Sequence, residues 1–498
     1  MILSFEGHSF RYECEKICRI YFPTEKIVFG DAPSLPEDDP RRVTARMEPQ
    51  GNHLLFSCEA EIDGRFRGYG FAAASPEPSD EAAYKAECEK LLAKAMTRVL
   101  TDLTGIRPPW GILTGVRPAK LMRRYLAQYG EADARRRFTG FLQVSPEKTE
   151  LAYQVALAEN ECAALSTEKS FSLYVSIPFC PTRCAYCSFV SHSIAQAKKL
   201  IPDYVKLLCR EIGQTAAIAR ELGLQLETVY VGGGTPTSLD AEDLRQITDA
   251  LHGAFDLREL REFTVEAGRP DTVDGEKLAT LKRAGVNRIS INPQTFSDAV
   301  LERIGRKHTA AETVEKYRLA RRMGFDNINM DLIAGLPGDT PEGFAATLDR
   351  AISLAPENVT VHTLALKRSS ELSAENGASS AGRQEAAPYG TPEMLAYASN
   401  ALPTAGYAPY YMYRQSKSAG NLENVGWTKP GRACLYNVYM MEELHSVLAV
   451  GGGAVTRLVD QQDGRIARVY NFKYPYEYIG RFEEQSERKD EIRTFYGR

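Results

Sequence analysis

Three cysteines, Cys180, Cys184 and Cys187, lie close together in the sequence with the spacing C-x3-C-x2-C. They follow a short apolar run, 174–177, that contains β-branched residues and stops at Pro178. Such a run is typical of a buried strand that ends in a loop. Three thiols in one loop can bind a single metal centre.

The number of thiols limits which kinds of metal centre the loop could bind. A structural zinc site has four ligands, and neither a second CxxC pair nor an HxxxH follows here. Iron–sulfur clusters are usually held by four thiolates, so three would leave one iron open to a substrate or cofactor. Spacing alone leaves two alternatives open, a zinc site completed by a distant His or Cys and three unrelated core cysteines.

The cysteine loop begins a regular alternation of strands and helices. Units of this length form parallel β/α structure, and their right-handed connections build a barrel or a doubly wound sheet. In both architectures, chemistry gathers beyond the carboxyl ends of the strands. The predicted strands are 171–178, 226–232, 262–267, 287–293, 326–333 and 358–366, and the predicted helices are about 198–222, 241–255, 273–284, 310–323 and 341–354.

Glycines and polar residues recur where these strands end. The run Gly232–Gly234 lets the backbone approach a ligand, and its amides can bind an anionic group, although a plain tight turn is the alternative. Glu266 and Gln294 end the third and fourth strands, and Asp331 lies in the apolar fifth. One buried acid or amide is often structural. Recurrence at one end of successive strands predicts a ligand site.

These motifs read, in order, CxxxCxYC, GGGTPT, VEA, NRISINPQTF, Arg306 and MDLIAGLPGDT. The series resembles the oxygen-independent coproporphyrinogen oxidases (coproporphyrinogen III dehydrogenases) of the radical S-adenosylmethionine (SAM) superfamily, over about 171–366. The segment YYMYRQ…NLENVGW and the extra N-terminal region resemble the longer HemZ-type subgroup. The resemblance implies an α/β fold, a partial (β/α)6 radical SAM barrel with an N-terminal α+β domain and a C-terminal α/β extension.

The resemblance also implies the cofactors and their ligands. Cys180, Cys184 and Cys187 match the ligands of a 4Fe–4S cluster, and one SAM chelates the open iron. The resemblance also allows a second SAM in the site. A sulfonium with ammonium, carboxylate and ribose groups needs acids, an amide, an Arg and bare backbone. For Arg306 the alternative is a solvated helix end. The SAM contacts implied by position are Tyr174, Tyr186, Gly233, Gly234, Thr235, Glu266, Gln294, Arg306, Asp331 and Ala365.

A chain of 498 residues is long enough for two or three domains. We expect an N-terminal α+β accessory domain over 1–165, the radical SAM core over 166–366, a flexible loop over 367–390 and a substrate-covering region over 391–498. Within the first domain, alternating runs predict strands at 17–22, 53–62 and 66–74, and apolar spacing predicts a helix over 79–104.

Charge and hydropathy exclude several partners. A net charge of −4 gives no electrostatic reason to expect nucleic acid. No apolar run approaches 18 residues, so no membrane span is predicted. The ten cysteines are scattered apart from the triplet, which favours a reducing cytoplasm over a disulfide framework. An exposed iron–sulfur cluster would be sensitive to oxygen, so we expect the protein to function under anaerobic conditions.

The segment 407–415 contains four tyrosines, an Arg and an amide. Given the resemblance, these residues suit a flat macrocycle with carboxylates, because rings stack and Arg pairs with propionate. A core strand with tyrosines as packing residues is the alternative. The candidate substrate contacts are Tyr411, Tyr413, Arg414 and Gln415.

The function implied by the resemblance is oxidative decarboxylation of two coproporphyrinogen III propionates to vinyl groups, giving protoporphyrinogen IX in haem biosynthesis. It implies a tetrapyrrole substrate, a low-potential donor such as ferredoxin or flavodoxin, and an unidentified electron acceptor. Phe189 stands where the better-known branch has a further Cys, and the haem-chaperone branch also has an aromatic there. Haem binding and delivery, with His192, His362 or His445 as ligand, is therefore one alternative. Another radical SAM reaction on a tetrapyrrole, such as methyl transfer or anaerobic haem degradation, is a second.

Overall fold

The computed structural model of the chain describes residues 1–23, 25–30, 40–75, 81–187, 192–365, 390–415 and 421–497. Its contacts divide into two compact units. The first contains Met1–Tyr153 and Arg414–Leu422, and most of the remaining chain forms the second. This division comes before the predicted boundary at 165. The predicted flexible loop, apart from Gly390, and Phe189 lie outside the described residues.

The first unit is an α+β structure with one five-stranded sheet, in which the strands have the order β2-β1-β3-β4-β5. The two long hairpin partners β4 and β5 match the predicted strands. The elements from the start of the chain are β1 (Ile2–Glu6), α1 (Arg11–Tyr21), β2 (Val28–Phe29), β3 (Arg41–Gln50), β4 (His53–Ile62), β5 (Arg65–Ala74), α2 (Glu81–Thr104), α3 (Pro118–Arg136), a π-helical turn (Arg137–Phe141) and α4 (Pro146–Ala163).

The strand predicted at 17–22 is wrong, because these residues end helix α1. The helix buries Cys14, Ile17, Cys18 and Tyr21, which are spaced three or four residues apart. That spacing places them on one helical face. The segment 17–22 covers only the last five residues of the helix and its C-cap, and over so short a segment the helical period cannot be distinguished from alternation.

The second unit contains the predicted β/α repeats. Six parallel strands follow one another in the sheet in sequence order, β6, β9, β10, β11, β12 and β13, without the reversal of a doubly wound sheet. The partial (β/α)6 fold is thereby confirmed. The elements are β6 (Ser170–Ile177), β7 (Phe179–Cys180), β8 (His192–Ser193), α5 (Ile194–Ala197), α6 (Ile201–Glu221), β9 (Gln225–Gly233), α7 (Ala241–Ala254), β10 (Glu262–Glu266), α8 (Gly275–Arg283), β11 (Arg288–Ser290), α9 (Asp298–Arg303), α10 (Ala310–Arg322), β12 (Ile328–Ala334), α11 (Pro341–Leu354) and β13 (Asn358–Thr363).

Capping side chains start four of the helices that connect these strands. Asp240 accepts a hydrogen bond from the amide of Asp243 at the start of α7, and Asp274 begins α8 in the same way. Thr309 and Glu312 form a complete capping box at α10. Each cap satisfies amides that the helix leaves unpaired. These local signals explain why the predicted and observed helix bounds agree closely.

The C-terminal region extends the same sheet at both edges to eleven strands. Strand β15 pairs antiparallel with β13, whereas β16 pairs in parallel with β6 at the opposite edge. No helix within the described ranges is long and apolar enough to cross a membrane. The elements are α12 (Thr391–Thr404), β14 (Ala408–Arg414), β15 (Glu423–Thr428), α13 (Leu435–Glu442), β16 (Ser446–Val450), β17 (Val455–Val459), β18 (Ile466–Tyr470), α14 (Pro475–Gly480), α15 (Phe482–Glu487) and α16 (Asp490–Tyr496).

Candidate functional site

The cysteine loop leaves the carboxyl end of β6. Cys180 lies on β7, and its Sγ is 3.5 Å from Oγ1 of Thr235. Cys184 is buried, and its carbonyl oxygen accepts a hydrogen bond of 3.0 Å from the amide of Cys187. Among the described residues, no three His, Cys, Asp or Glu side chains converge as metal ligands do. Joint metal binding by the three thiols therefore stays a prediction.

The glycine turn after β9 is bonded directly to this loop. The amide of Gly234 donates to the carbonyl oxygen of Ile177 over 2.8 Å, and the amide of Thr235 donates to that of Phe179 over 2.7 Å. A Cβ on Gly234 would lie 2.5 Å from the Phe179 oxygen, and Gly233 has φ +112°. The amides of Gly234 and Thr235 are therefore not available to an anion, because they donate to Ile177 at the end of β6 and to Phe179 in the cysteine loop. Contact of Gly233, Gly234 and Thr235 with SAM stays a prediction. The glycines are needed for the close approach of two backbones.

Glu266 ends β10 beside this turn and is half-buried. Its Oε1 accepts a hydrogen bond of 2.7 Å from the hydroxyl of Tyr230. Burial raises the pKa of Glu266 to about 7, and the charge of Asp331 adds to the rise, whereas hydrogen bonds from Tyr230 and the Gly233 amide oppose it. A cation placed beside this carboxyl would favour its ionised form.

Asp331 lies on β12 in a different environment. Its Oδ1 accepts a hydrogen bond of 2.7 Å from Nδ2 of Asn329 and is 3.7 Å from Nε2 of His362. Burial acts to raise the pKa of Asp331, but His362 and Asn329 outweigh burial and the net pKa is lowered. The site thus holds one firmly ionised carboxylate and one carboxyl, Glu266, that titrates near neutrality.

Gln294 lies beyond the end of β11, the fourth strand of the repeat, and its backbone pairs with β12. Its amide donates to the carbonyl oxygen of Asp331 over 2.9 Å, and its own carbonyl accepts from Ile333 over 3.0 Å. Gln294 has a φ of +65°, a backbone angle that residues other than glycine rarely adopt. Such backbone strain, held in place by two hydrogen bonds, is typical of a functional site.

Arg306 is buried, so the alternative of a solvated helix end is wrong. Its Nη1 donates to the carbonyl oxygens of Gly268 and Asn292 over 3.1 and 3.0 Å. Its Nη2 donates to the hydroxyl of Tyr186 over 3.1 Å. Nε of Arg306 is buried and has no hydrogen-bond partner in the described part of the chain. The structure therefore brings Arg306 and Tyr186 together next to the cysteine loop.

Comparison with known proteins decides the family. A model of the radical SAM superfamily matches residues 174–351. The oxygen-independent coproporphyrinogen-III oxidase-like protein HemZ of Bacillus subtilis is 37% identical over 440 residues, which are 86% of this chain and 86% of that protein. The chain belongs to the oxygen-independent coproporphyrinogen-III oxidase-like family of radical SAM proteins.

Other relatives of this radical SAM protein have different names. The heme chaperone HemW of Bacillus subtilis is 40% identical over 194 residues, 39% of this chain and 50% of that protein. HemW of Escherichia coli is 31% identical over 61% of this chain and 74% of that protein. The structure of coproporphyrinogen III oxidase HemN from Escherichia coli matches with a TM-score of 0.51 at 24% identity, over 66% of this chain and 73% of that one. That likeness shows the shared fold.

Radical SAM membership implies a 4Fe–4S cluster and SAM. Three thiols in one loop are donors of the type that such a cluster takes, their joint binding of one cluster staying a prediction, and the other residues of the site suit the polar groups of SAM. The donor set contains an ionised carboxylate, a second carboxyl that a cation would ionise, and a buried guanidinium whose Nε is unpaired among the described residues. These groups complement an ammonium, ribose hydroxyls and a carboxylate. Ala365, the last described residue after β13, is half-buried.

A stack of three tyrosines in this radical SAM protein was not predicted. Tyr230 and Tyr436 have ring centroids 4.4 Å apart, and Tyr174 lies 6.2 Å from both. Because the hydroxyl of Tyr230 donates to Glu266, the packing of the three rings helps to fix the position of that carboxyl. Tyr436 comes from α13, and no local pattern in the sequence indicates that this distant helix reaches β6 and β9.

The candidate substrate residues lie in unlike places. Tyr411 is buried, and the hydroxyl of Tyr413 is 3.4 Å from Nδ1 of His362. Arg414 groups with the first unit, is buried, and donates to the carbonyl oxygens of Leu113 and Gly115 over 2.7 and 3.3 Å. Its predicted pairing with a substrate propionate is not supported by this geometry, because backbone carbonyls hold the guanidinium. Gln415 is the last described residue before a gap.

One further residue of the radical SAM site was missed. Arg269 lies three residues after Glu266 and is buried, and its Nη1 is 3.6 Å from Sγ of Cys184. The only signal in the sequence was an arginine in the loop that follows the third strand. Such loops carry solvated arginines as well, so position alone did not distinguish it.

Proposed function

We propose that this radical SAM protein converts coproporphyrinogen III propionates to vinyl groups and so forms protoporphyrinogen IX. The observation that carries the proposal is that Glu266, Gln294 and Asp331 lie at the ends of three successive strands, while Arg306, in the turn after α9, donates to Tyr186 of the cysteine loop. The similarity to HemZ over most of the chain supports a tetrapyrrole substrate. We further propose a cytoplasmic location and a low-potential donor such as ferredoxin or flavodoxin.

In this proposal the site residues bind and orient the cofactor. When bound, the cluster and SAM would supply a 5′-deoxyadenosyl radical for removal of a hydrogen atom from the propionate β-carbon, and loss of CO2 and of one electron to an acceptor would then leave the vinyl group. Glu266 binds the SAM ammonium, and Asp331 binds ribose hydroxyls or a second SAM. The unpaired Nε of Arg306 binds a carboxylate, and Gln294 offers its side-chain amide. Two propionates react, so two SAM molecules are consumed for each product.

Haem binding and delivery is the second candidate, favoured by the similarity to the HemW chaperones. His445 is a poor haem ligand in this fold. It is buried, and its two ring nitrogens each lie 2.8 Å from a serine hydroxyl, those of Ser166 and Ser172. His362 faces Asp331 and Tyr413. A third candidate, methyl transfer or anaerobic haem degradation, uses the same SAM site on another tetrapyrrole.

One anaerobic incubation tests the proposal. The reconstituted protein is mixed with coproporphyrinogen III, SAM and a low-potential reductant, and protoporphyrin (after oxidation) and 5′-deoxyadenosine are quantified. Cys184→Ala is the inactive variant. Cys209→Ala is its matched control, because Cys209 lies on α6 and its thiol donates to the Gln246 carbonyl oxygen away from the site.

We expect vinyl product from the wild type and from Cys209→Ala, and none from Cys184→Ala. Cleavage of SAM without vinyl product would reject coproporphyrinogen and retain another tetrapyrrole as substrate. Stoichiometric haem binding with neither product would favour the carrier.

A further inference from the structure

The loop after β10 holds a second buried arginine beside the cysteines. Arg269 donates to both carboxylate oxygens of Asp271, with Nε–Oδ1 3.0 Å and Nη2–Oδ2 2.9 Å. Its Nη2 also donates to Oγ1 of Thr182 over 3.1 Å, and its Nη1 to the Thr182 carbonyl oxygen over 3.3 Å. The guanidinium is therefore fixed in the plane set by a bidentate carboxylate. Thr182 lies within the cysteine loop, so Arg269 is bonded to that loop directly.

The same guanidinium reaches one cysteine sulfur. Nη1 of Arg269 donates to Sγ of Cys184 over 3.6 Å. The Arg306 guanidinium is also close enough to Cys184 for the two groups to interact electrostatically. Cys180, in contrast, has a neutral hydroxyl, that of Thr235, near its sulfur. Cys184 is thus a thiol on which two buried guanidinium groups converge.

The charges around Cys184 leave a net positive field. Asp271 neutralises one of the two arginines. Burial lowers the pKa of His308, which lies 3.7 Å from Asp271; the two arginines add to this effect and Asp271 opposes it, and the net lowering favours the neutral imidazole. One positive charge therefore remains in a region from which water is largely excluded. In such a region a charge acts more strongly than it would in water.

A merely structural clamp would not need the contact with sulfur. Asp271 and Thr182 already accept hydrogen bonds from all three guanidinium nitrogens. The Nη1 donor is shared between the Thr182 carbonyl and the Cys184 sulfur. Hydrogen bonds to cluster sulfurs and net charge are two of the properties that set the reduction potential of an iron–sulfur centre.

We propose that Arg269 raises the reduction potential of the cluster that Cys184 helps to bind, an inference that rests on the cofactor of the proposed function. Reduction adds one electron to the cluster. A fixed positive charge and an N–H donor at a ligand sulfur stabilise the reduced form more than the oxidised form. Arg269 is a positioning residue in this scheme and does not touch the substrate.

The test compares Arg269→Gln with Arg261→Gln. Arg261 precedes β10 at its opposite end, is 44% exposed at its side chain and pairs with Glu227. Each protein is reconstituted anaerobically, iron and sulfide are counted, and the one-electron midpoint is measured by EPR-monitored redox titration without SAM. We expect the ratio of reduced to oxidised cluster in Arg269→Gln to fall about tenfold at a fixed potential, which is about 59 mV. The midpoint of Arg261→Gln should equal that of the wild type.

A second variant, Arg269→Lys, keeps the charge but cannot span Asp271 and Cys184 with one rigid fork. Its midpoint should lie between those of the wild type and Arg269→Gln. An intact cluster with an unchanged midpoint in either Arg269 variant would overturn the inference and leave the proposed function standing. Loss of the cluster in both Arg269 variants, with the control intact, would mean a structural clamp and would also overturn it. A wild type that binds no cluster would overturn the proposed function and the inference together.

Discussion

The glycine turn gives the sharpest prediction about how the cysteine loop is held. In Gly234→Ala, the new methyl would start 2.5 Å from the Phe179 oxygen and 3.0 Å from the Cys180 sulfur. Ordinary contact begins near 3.4 Å, so the two backbones must separate. The hydrogen bonds of 2.8 and 2.7 Å that join the turn to the loop cannot both survive that movement. Breaking one of them leaves a donor and an acceptor unpaired, and each unpaired buried polar group costs about 1–3 kcal/mol, so we expect a loss of about 2–6 kcal/mol.

The matched control is Gly213→Ala. Gly213 lies in α6 with no atom near its Cβ position, so alanine should be neutral or stabilise the helix by up to about 1 kcal/mol. Urea unfolding of the apoprotein, followed by circular dichroism, measures the free energy of unfolding. Iron analysis after reconstitution measures whether the cysteine loop still binds a cluster. Wild-type stability and iron content in Gly234→Ala would refute the view that this turn positions the cysteines.

Two further predictions concern buried charges. Because the fold raises the pKa of Glu266 from 4.5 to about 7, the folded state binds this proton more tightly. The free energy of unfolding should therefore fall by up to about 3 kcal/mol as the pH rises from about 4.5 through about 7. Urea unfolding at pH 5 and at pH 8 measures this difference, and Glu266→Gln should abolish it. Lys489→Met should cost about 3–5 kcal/mol, because Lys489 is 3.0 Å from the fully buried Glu211. Arg210→Met, which breaks an exposed pair with Glu483, should cost less than about 1 kcal/mol in the same assay, and equal losses would contradict the reasoning.

The sequence by itself determined the repeating core of this protein. Helices α7, α10 and α11 begin and end within one residue of their predicted bounds, because capping side chains and helical periodicity are local signals. The placement of Glu266 on β10 and Asp331 on β12, two parallel strands separated by β11, also followed from the sequence, because parallel strands align their carboxyl ends at one edge of the sheet. The strand predicted at 17–22 was wrong, because six residues are too short a segment to show the period of α1.

Only the tertiary structure decided what the individual side chains meet. Arg414 was predicted to face a propionate, yet its donors go to the carbonyl oxygens of Leu113 and Gly115. No pattern in the sequence set Arg269 apart from a solvated arginine, yet its guanidinium donates to the Cys184 sulfur. These contacts join residues about 80 to 300 positions apart. Spacing along the chain reports the period of one helix or strand, whereas the direction of a guanidinium depends on which distant backbone folds against it.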